Sequence, residues 1–367
     1  MVTSQTLHSD ICISPGEYLV EVLDDLGMTK DELAKRMNRP APKLSAIFKG
    51  DKAITPDTAL QLEKVVGVPA HIWTGLESEY RLTLARQQQA QEQQRLKTEV
   101  PLVSRFRYAD LTRLGKVPKK TRAVDKVLEL QKFFGVTSLS TVPDLKRYQV
   151  AFRRSKTPSK IKAPEGVAAW LRIGEREAQS CRCAPFDRKE LKACLSTVRS
   201  MTLQKPEQFQ DALNEVFAGA GVALVLCPEF LGTGINGATF WMGPDRAVVM
   251  MTLRYKWADI FWFSLFHELG HILLHGQQTV ILESAHEDPA LNKQENEANR
   301  FAAETLVPPA DYRAFLSAKH FYAEDIQKFA GKVGIAAGVV VGRLQHDGHL
   351  RNNWHNGLRV RFQWKVQ

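Results

Sequence analysis

Apolar positions in the first eighty residues recur at helical spacing and are cut by turn residues. A first helix is predicted from Pro15 to Leu26, with Gly27 as its stop. Thr29 caps a second helix to Met37, and Glu32 three residues on completes a capping box. Asn38 suits the left-handed backbone of a tight interhelical turn. A third helix spans Ala41 to Phe48 before Gly50, and Thr55-Pro56 opens a fourth that reaches Val66. Two helices joined by a three- or four-residue turn make a helix-turn-helix. Trp73, Leu76, Tyr80 and Leu84 begin a fifth helix, which runs into a Gln-rich stretch at 87–94.

Beyond that stretch, Val124 to Phe134, Val167 to Ala178 and Arg188 to Arg199 carry the helical period. Val222 to Cys227 and Ala247 to Thr252 read as strands. Trp262 to Leu274 reads as a buried helix. Residues 292–306 read as another, with Ala298, Phe301, Ala302, Thr305 and Leu306 as its apolar stripe and Pro308-Pro309 as its stop.

The buried helix carries the chemistry. Within Phe266-His-Glu-Leu-Gly-His271, His267 and His271 lie one turn apart on one face. Imidazole nitrogens at that spacing can share one zinc ion at about 2 Å each. Glu268 lies about 100° round the helix from His267. That direction suits a general base, and H-E-x-x-H is the pattern of two ligands plus a base. Two imidazoles and a carboxylate buried without a partner would cost several kcal/mol.

Such a zinc site needs a third protein ligand. His275 is eight residues from His267, about 12 Å along the helix, whereas two ligand atoms on one ion lie at most about 4 Å apart. His275 therefore reads as a supporting or helix-end group. On the next helix, both Glu295 and Glu297 border the apolar stripe, and periodicity does not choose between them. His346, His275, Tyr255 and Arg343 are candidates for steadying an oxyanion.

His267-Glu-Leu-Gly-His-Ile-Leu-Leu-His275, followed by Glu295-Asn-Glu-Ala-Asn-Arg-Phe-Ala-Ala-Glu304, resembles the ImmA/IrrE family of zinc metallopeptidases. The resemblance implies His267, His271 and Glu297 as zinc ligands and Glu268 as the catalytic base. It also implies proteolysis of a partner, commonly a repressor. Ser14-Pro-Gly-Glu17, Met28 to Ala34, Leu44-Ser-Ala-Ile47, Gly50, Ile54 to Ala59 and Trp73 resemble the XRE helix-turn-helix domain of the HigA antitoxin branch. That resemblance implies double-stranded DNA as a partner, bound by a homodimer on paired half-sites, and raises a toxin as a second partner.

The candidate DNA-binding residues are Arg39, Lys43, Ser45, Lys49 and Lys52. Only Lys43 and Ser45 offer side-chain donors at the start of the third helix, where base readout favours Arg, Gln, Asn or Lys. Arg39, Lys49 and Lys52 suit phosphates, which position a protein without reading sequence.

The expected architecture is multi-domain, mainly α with α+β. It comprises an all-α helix-turn-helix domain (12–82), a Gln-rich helical linker (83–100), a basic helical region (101–205) and a zincin-like α+β domain with a small sheet (206–367). Of the net +10 in 367 residues, all the excess lies in 101–160, which holds 15 Lys plus Arg against 4 Asp plus Glu. Such a surface suits phosphates or an acidic partner. Five cysteines (Cys12, Cys181, Cys183, Cys194, Cys227), no signal-like N-terminus and no membrane-length apolar run point to reduced thiols in a cytoplasm. Function therefore divides two ways. One is a regulator with a zinc endopeptidase. The other is an antitoxin or transcription factor whose peptidase-like domain only senses a ligand or binds a protein.

Overall fold

The computed structural model describes residues 13–149, 163–276, 280–282 and 289–363. The chain divides into two compact units, Met1–Thr98 and Glu99–Gln367.

The first unit contains α1 (Pro15–Asp25), α2 (Lys30–Arg36), α3 (Ala41–Phe48), α4 (Pro56–Val66) and most of α5 (Ala70–Glu99). Side-chain caps set three of these starts. Ser14 Oγ accepts from Glu17 N, Thr29 Oγ1 from Glu32 N and Thr55 Oγ1 from Thr58 N. Asn38, in the α2–α3 turn, has φ +48°. Leu19, Leu33, Leu44, Ile47, Leu62 and Trp73 fill the core. Trp73 also donates its indole N–H to Val68 O at 3.1 Å. Unlike α1–α4, α5 is helical throughout the Gln-rich stretch, whose residues 85–94 are all exposed. The linker is therefore a continuation of the helix.

In the second unit come α6 (Leu102–Arg105), α7 (Tyr108–Arg113), α8 (Ala123–Phe134), α9 (Pro164–Ser180), α10 (Arg188–Ser200) and α11 (Pro206–Gly219). Strands β1 (Val222–Leu226), β2 (Gly237–Trp241) and β3 (Ala247–Met251) follow, then α12 (Ala258–His275), β4 (Val280–Leu282) and α13 (Pro289–Leu306). Three more α-helices follow, α14 (Pro309–Ser317), α15 (Ala323–Val333) and α16 (Ala337–His346), and a short 3-10 turn at Asn356–Leu358 comes after them. Sheet order is β1-β3-β2-β4, with β1 parallel to β3 and the other neighbours antiparallel. All five residues of β3 are buried. Helices α9 and α12 both pack on that strand, which accounts for its unbroken apolar run.

A boundary at 205/206 does not separate two bodies. Leu191, Val198 and Met201 belong to the same core as Val249, Trp262, Leu265 and Phe266. In the 101–205 segment α9 packs on β1 and β3, and α10 packs on α11 and α13. Part of the basic run, 150–162, lies outside the described residues, as does Cys12.

Candidate metal centre

Helix α12 is apolar on nearly every face and is buried from Phe261 almost to its end, exposing Leu274. Its start is held by an ion pair of two buried side chains: Arg359 donates Nε to Asp259 Oδ1 at 3.0 Å and Nη2 to Asp259 Oδ2 at 2.8 Å. Burial pushes the Asp259 carboxyl up, and Arg359 opposes that shift.

Helix α13 packs along α12 in the opposite direction, as the contacts of 267 with 299, 271 with 295 and 275 with 297 require. Gly270 makes the close approach possible. A Cβ there would lie 3.1 Å from Phe301 Cδ1 and 3.2 Å from Ala298 Cα. Ala298 and Ala302, both fully buried, supply the matching small surface.

That crossing brings three donor atoms together. His267 Nε2 and His271 Nε2 are 3.0 Å apart, and Glu295 Oε2 lies 3.2 Å from the first and 3.7 Å from the second. Among the described residues, His267, His271 and Glu295 are the group of His, Cys, Asp and Glu gathered closely enough to hold a metal. Tetrahedral ligands with bonds near 2 Å sit about 3.3 Å from one another. The donor set fits zinc in kind and in spacing.

The outer side of each imidazole is also held. With Nε2 left as a lone-pair donor, His267 Nδ1–H donates to Asn299 Oδ1 at 2.9 Å. His271 Nδ1–H then donates to His275 Nδ1 at 3.1 Å, and His275 Nε2–H donates to Glu297 Oε2 at 2.9 Å. These tautomers are assigned from the network. Burial holds the His271 pKa below its ordinary value, with Glu295 opposing the shift. Burial would raise Glu295, but the His267 and His271 rings beside it, when either carries a proton on Nε2, outweigh that and leave the carboxyl at about 2. Neutral imidazole and ionised carboxylate are the metal-binding forms.

The structure corrects the ligand set implied by family resemblance. Glu297 is not in the cluster; it faces outward to His275, and Glu295 stands beside the two imidazoles. Residues 295, 299, 302 and 306 form the stripe that meets α12, and Glu297 is about 200° round from Glu295.

Glu268 is fully buried and pressed against β2. Its Oε2 accepts from the Thr239 hydroxyl. A Cβ on Gly237 would come within 2.7 Å of Glu268 Oε1, so the glycine leaves the carboxylate its space. Neither Thr239 nor Gly237 was picked out from sequence. Their strand, β2, has no alternating pattern and opens on Asn236-Gly237.

Of the four oxyanion candidates, His275 has both ring nitrogens engaged. Tyr255 is 56% exposed. Arg343 donates to Asp347 Oδ2 at 2.6 Å, and His346 lies at the end of α16.

In the first unit, Lys43, Ser45, Lys49 and Lys52 are exposed on α3 and just beyond it. Arg39 has partners within the unit. It donates to Asp57 Oδ2 at 2.6 Å and to Gln61 Oε1 at 2.7 Å, tying the α2–α3 turn to α4.

Residues 259–345 match the family described as the IrrE N-terminal-like domain, a peptidase family. That span runs from the start of α12 almost to the end of α16 and contains the cluster. Over 100 residues the chain is 31% identical to virulence-associated protein I of Dichelobacter nodosus, covering 27% of this chain and 89% of that protein. It is also 31% identical over 71 residues to an uncharacterized HTH-type transcriptional regulator, YddM, of Escherichia coli strain K12, 19% of this chain and 76% of that one. The chain belongs with these HTH-type regulators and carries an IrrE N-terminal-like domain.

Among solved structures, an addiction module antidote protein of the HigA family from Coxiella burnetii shares 36% identity. It covers 22% of this chain and 88% of that chain, at a TM-score of 0.21. No helix among the described residues of this HTH-type chain is long and apolar enough to cross a membrane.

Proposed function

We propose that the second unit is a zinc-dependent endopeptidase acting on a partner or regulatory protein, and that the first unit binds operator DNA as a homodimer. The convergence of His267, His271 and Glu295, with buried Glu268 on the next position of the same helix, carries the reading. Zinc in that set would polarise a water and the scissile carbonyl. Glu268 would take the proton of the attacking water and pass it to the departing amine. Thr239 fixes the carboxylate through Oε2, and Gly237 gives it room. Asn299 and the His275–Glu297 pair hold the imidazoles in their ligand tautomers.

On the DNA side, Lys49 and Lys52 would meet phosphates, and Lys43 and Ser45 the base edges. Arg39 would support α3 through Asp57 and Gln61.

The similarity to a HigA antidote protein favours a second reading, in which the chain neutralises a toxin and hydrolysis is dispensable. Glu268→Gln separates the two. Under the peptidase reading, new protein N-termini appear in cells expressing the parent and are absent with Glu268→Gln. If parent and variant regulate a promoter or neutralise a toxin equally, with no termini unique to the parent, the antitoxin reading replaces it.

A further inference from the structure

Helix α9 ends at Ser180, and residues 181–187 lead from it to α10. That segment is tied down along its length. Cys181 N–H donates to Glu177 O at 3.1 Å in the last turn of α9, and Ala184 N–H donates to Ala218 O at 2.9 Å. Phe186 N–H donates to Asp245 O at 2.9 Å and Asp187 N–H to Ala220 O at 3.2 Å. Gly221 allows the close approach, since a Cβ there would lie 2.2 Å from Phe186 Cα.

This fixed backbone carries Cys181 and Cys183, both half-buried. Their Sγ atoms lie 3.3 Å apart, in hydrogen-bond contact. A disulfide bond is about 2.05 Å long. Rotations about the two Cα–Cβ bonds can close the difference. The thiols of Cys194 and Cys227 are engaged elsewhere. Cys194 Sγ donates to Leu191 O at 3.1 Å, and the buried Cys227 Sγ donates to Pro228 O at 3.6 Å.

The charges beside the pair are cationic. Arg182, between the two cysteines, is exposed. Arg246 donates to Ala178 O at 3.0 Å near the end of α9, and its charge favours a thiolate at Cys183. The nearby carboxylate of Glu177 is paired with Lys116. Cations so placed favour thiolate and attract an anionic partner.

We infer that Cys181 and Cys183 are a redox-active dithiol that closes to a disulfide by exchange with an anionic low-molecular-weight disulfide such as oxidised glutathione. The Cys181 thiolate attacks one sulfur of that disulfide, whose S–S bond breaks and releases one thiolate. Cys183 then gives up its proton and attacks Cys181 Sγ. The internal S–S bond forms, and the second small thiolate leaves. The protein loses two electrons and two protons, and the small disulfide becomes two thiols. Burial, and after it the neighbouring Cys181, push the Cys183 thiol up to about 11. The Cys181 part of that shift disappears once Cys181 is held in the mixed disulfide, which frees Cys183 to ionise for the second step.

The test equilibrates full-length protein, near neutral pH, across a series of ratios of reduced to oxidised glutathione. Samples are quenched with acid, alkylated in denaturant and cut with a protease specific for Glu. That cleavage leaves 178–190 as one peptide holding both cysteines. As the oxidised share rises, the parent should yield 178–190 unlabelled and two hydrogens lighter, with Cys194 and Cys227 still labelled. Cys183→Ser should stop at a glutathione adduct on Cys181, and Cys181→Ser should acquire its adduct about tenfold more slowly.

Doubly labelled 178–190 at every ratio overturns the inference, and so does a disulfide that joins two chains. Equal mixed disulfide in the parent and in Cys183→Ser overturns it as well, because Cys183 then resolves nothing. The parent's own peptide decides the matter if either variant fails to fold.

Discussion

His275 Nε2 lies 2.9 Å from Glu297 Oε2, and the far side of the same ring touches His271. A carboxylate two positions from Glu295 thus reaches the metal cluster only through two imidazoles. Glu295→Gln should therefore lower zinc affinity by more than about 100-fold, and Glu297→Gln by about 10- to 100-fold. Competition against a chromophoric chelator measures both. The order of the two effects is the decisive result: a larger loss at Glu297 would contradict the geometry.

Glu268→Gln should keep zinc and lose about 10²- to 10⁴-fold in kcat, because the amide cannot accept the proton. Gly237→Ala should lose activity with zinc retained, since the new methyl meets Glu268 Oε1 at 2.7 Å. Chelator competition and peptide turnover on the same samples check both. Full activity in Gly237→Ala would show that the carboxylate has another way to sit.

Arg359→Met strands Asp259 in the core and should destabilise the second unit by about 3–5 kcal/mol at neutral pH. The dependence on pH has a definite sign. Burial raises the folded-state pKa of Asp259, so its contribution to stability is complete below the unfolded value and is lost as pH rises through the folded one. Removing Arg359 removes an influence that lowers that pKa, so it moves higher still. Chemical denaturation should show a smaller difference between variant and parent at pH 5 than at pH 7. Equal differences at the two pH values would mean the pair is not what stabilises the start of α12.

Burial pushes the Cys227 thiol up to about 12, and Cys194 to about 11. At pH 8 the thiolate fraction at Cys227 is then on the order of 10⁻⁴, and alkylation proceeds through the thiolate. Iodoacetamide labelling read by mass spectrometry should modify Cys227 far more slowly in folded than in urea-unfolded protein. Equal rates would show that the Cys227 environment is open to water.

Lys49→Ala and Lys52→Ala should weaken DNA binding about equally across sequences, each lowering the salt slope by about 1. Arg39→Ala should leave that slope alone and lower the thermal midpoint of the first unit. Fluorescence anisotropy over a salt series, with thermal melts, separates the two kinds of effect.

The boundaries of α1 to α4 were legible because caps, glycines and prolines act within a few residues of themselves. The His267–His271 pair was equally legible, since a four-residue spacing on a helix fixes two side chains on one face without outside help. The choice between Glu295 and Glu297 was not. It depends on how closely two helices approach at Gly270 and Ala298, and both glutamates satisfy the local period. Strand β2 was missed because Gly237 to Trp241 owes its conformation to neighbours on both sides, β3 and β4. The boundary at 205 failed for a related reason: an amphipathic stripe announces that it must be covered, but not by what. No local pattern announces that Arg39 hydrogen-bonds to a helix eighteen residues away. Sequence determined what each segment is and which chemistry it carries. Tertiary structure decided which of two equivalent neighbours faces the site, because that choice is made by contacts between segments far apart in the chain.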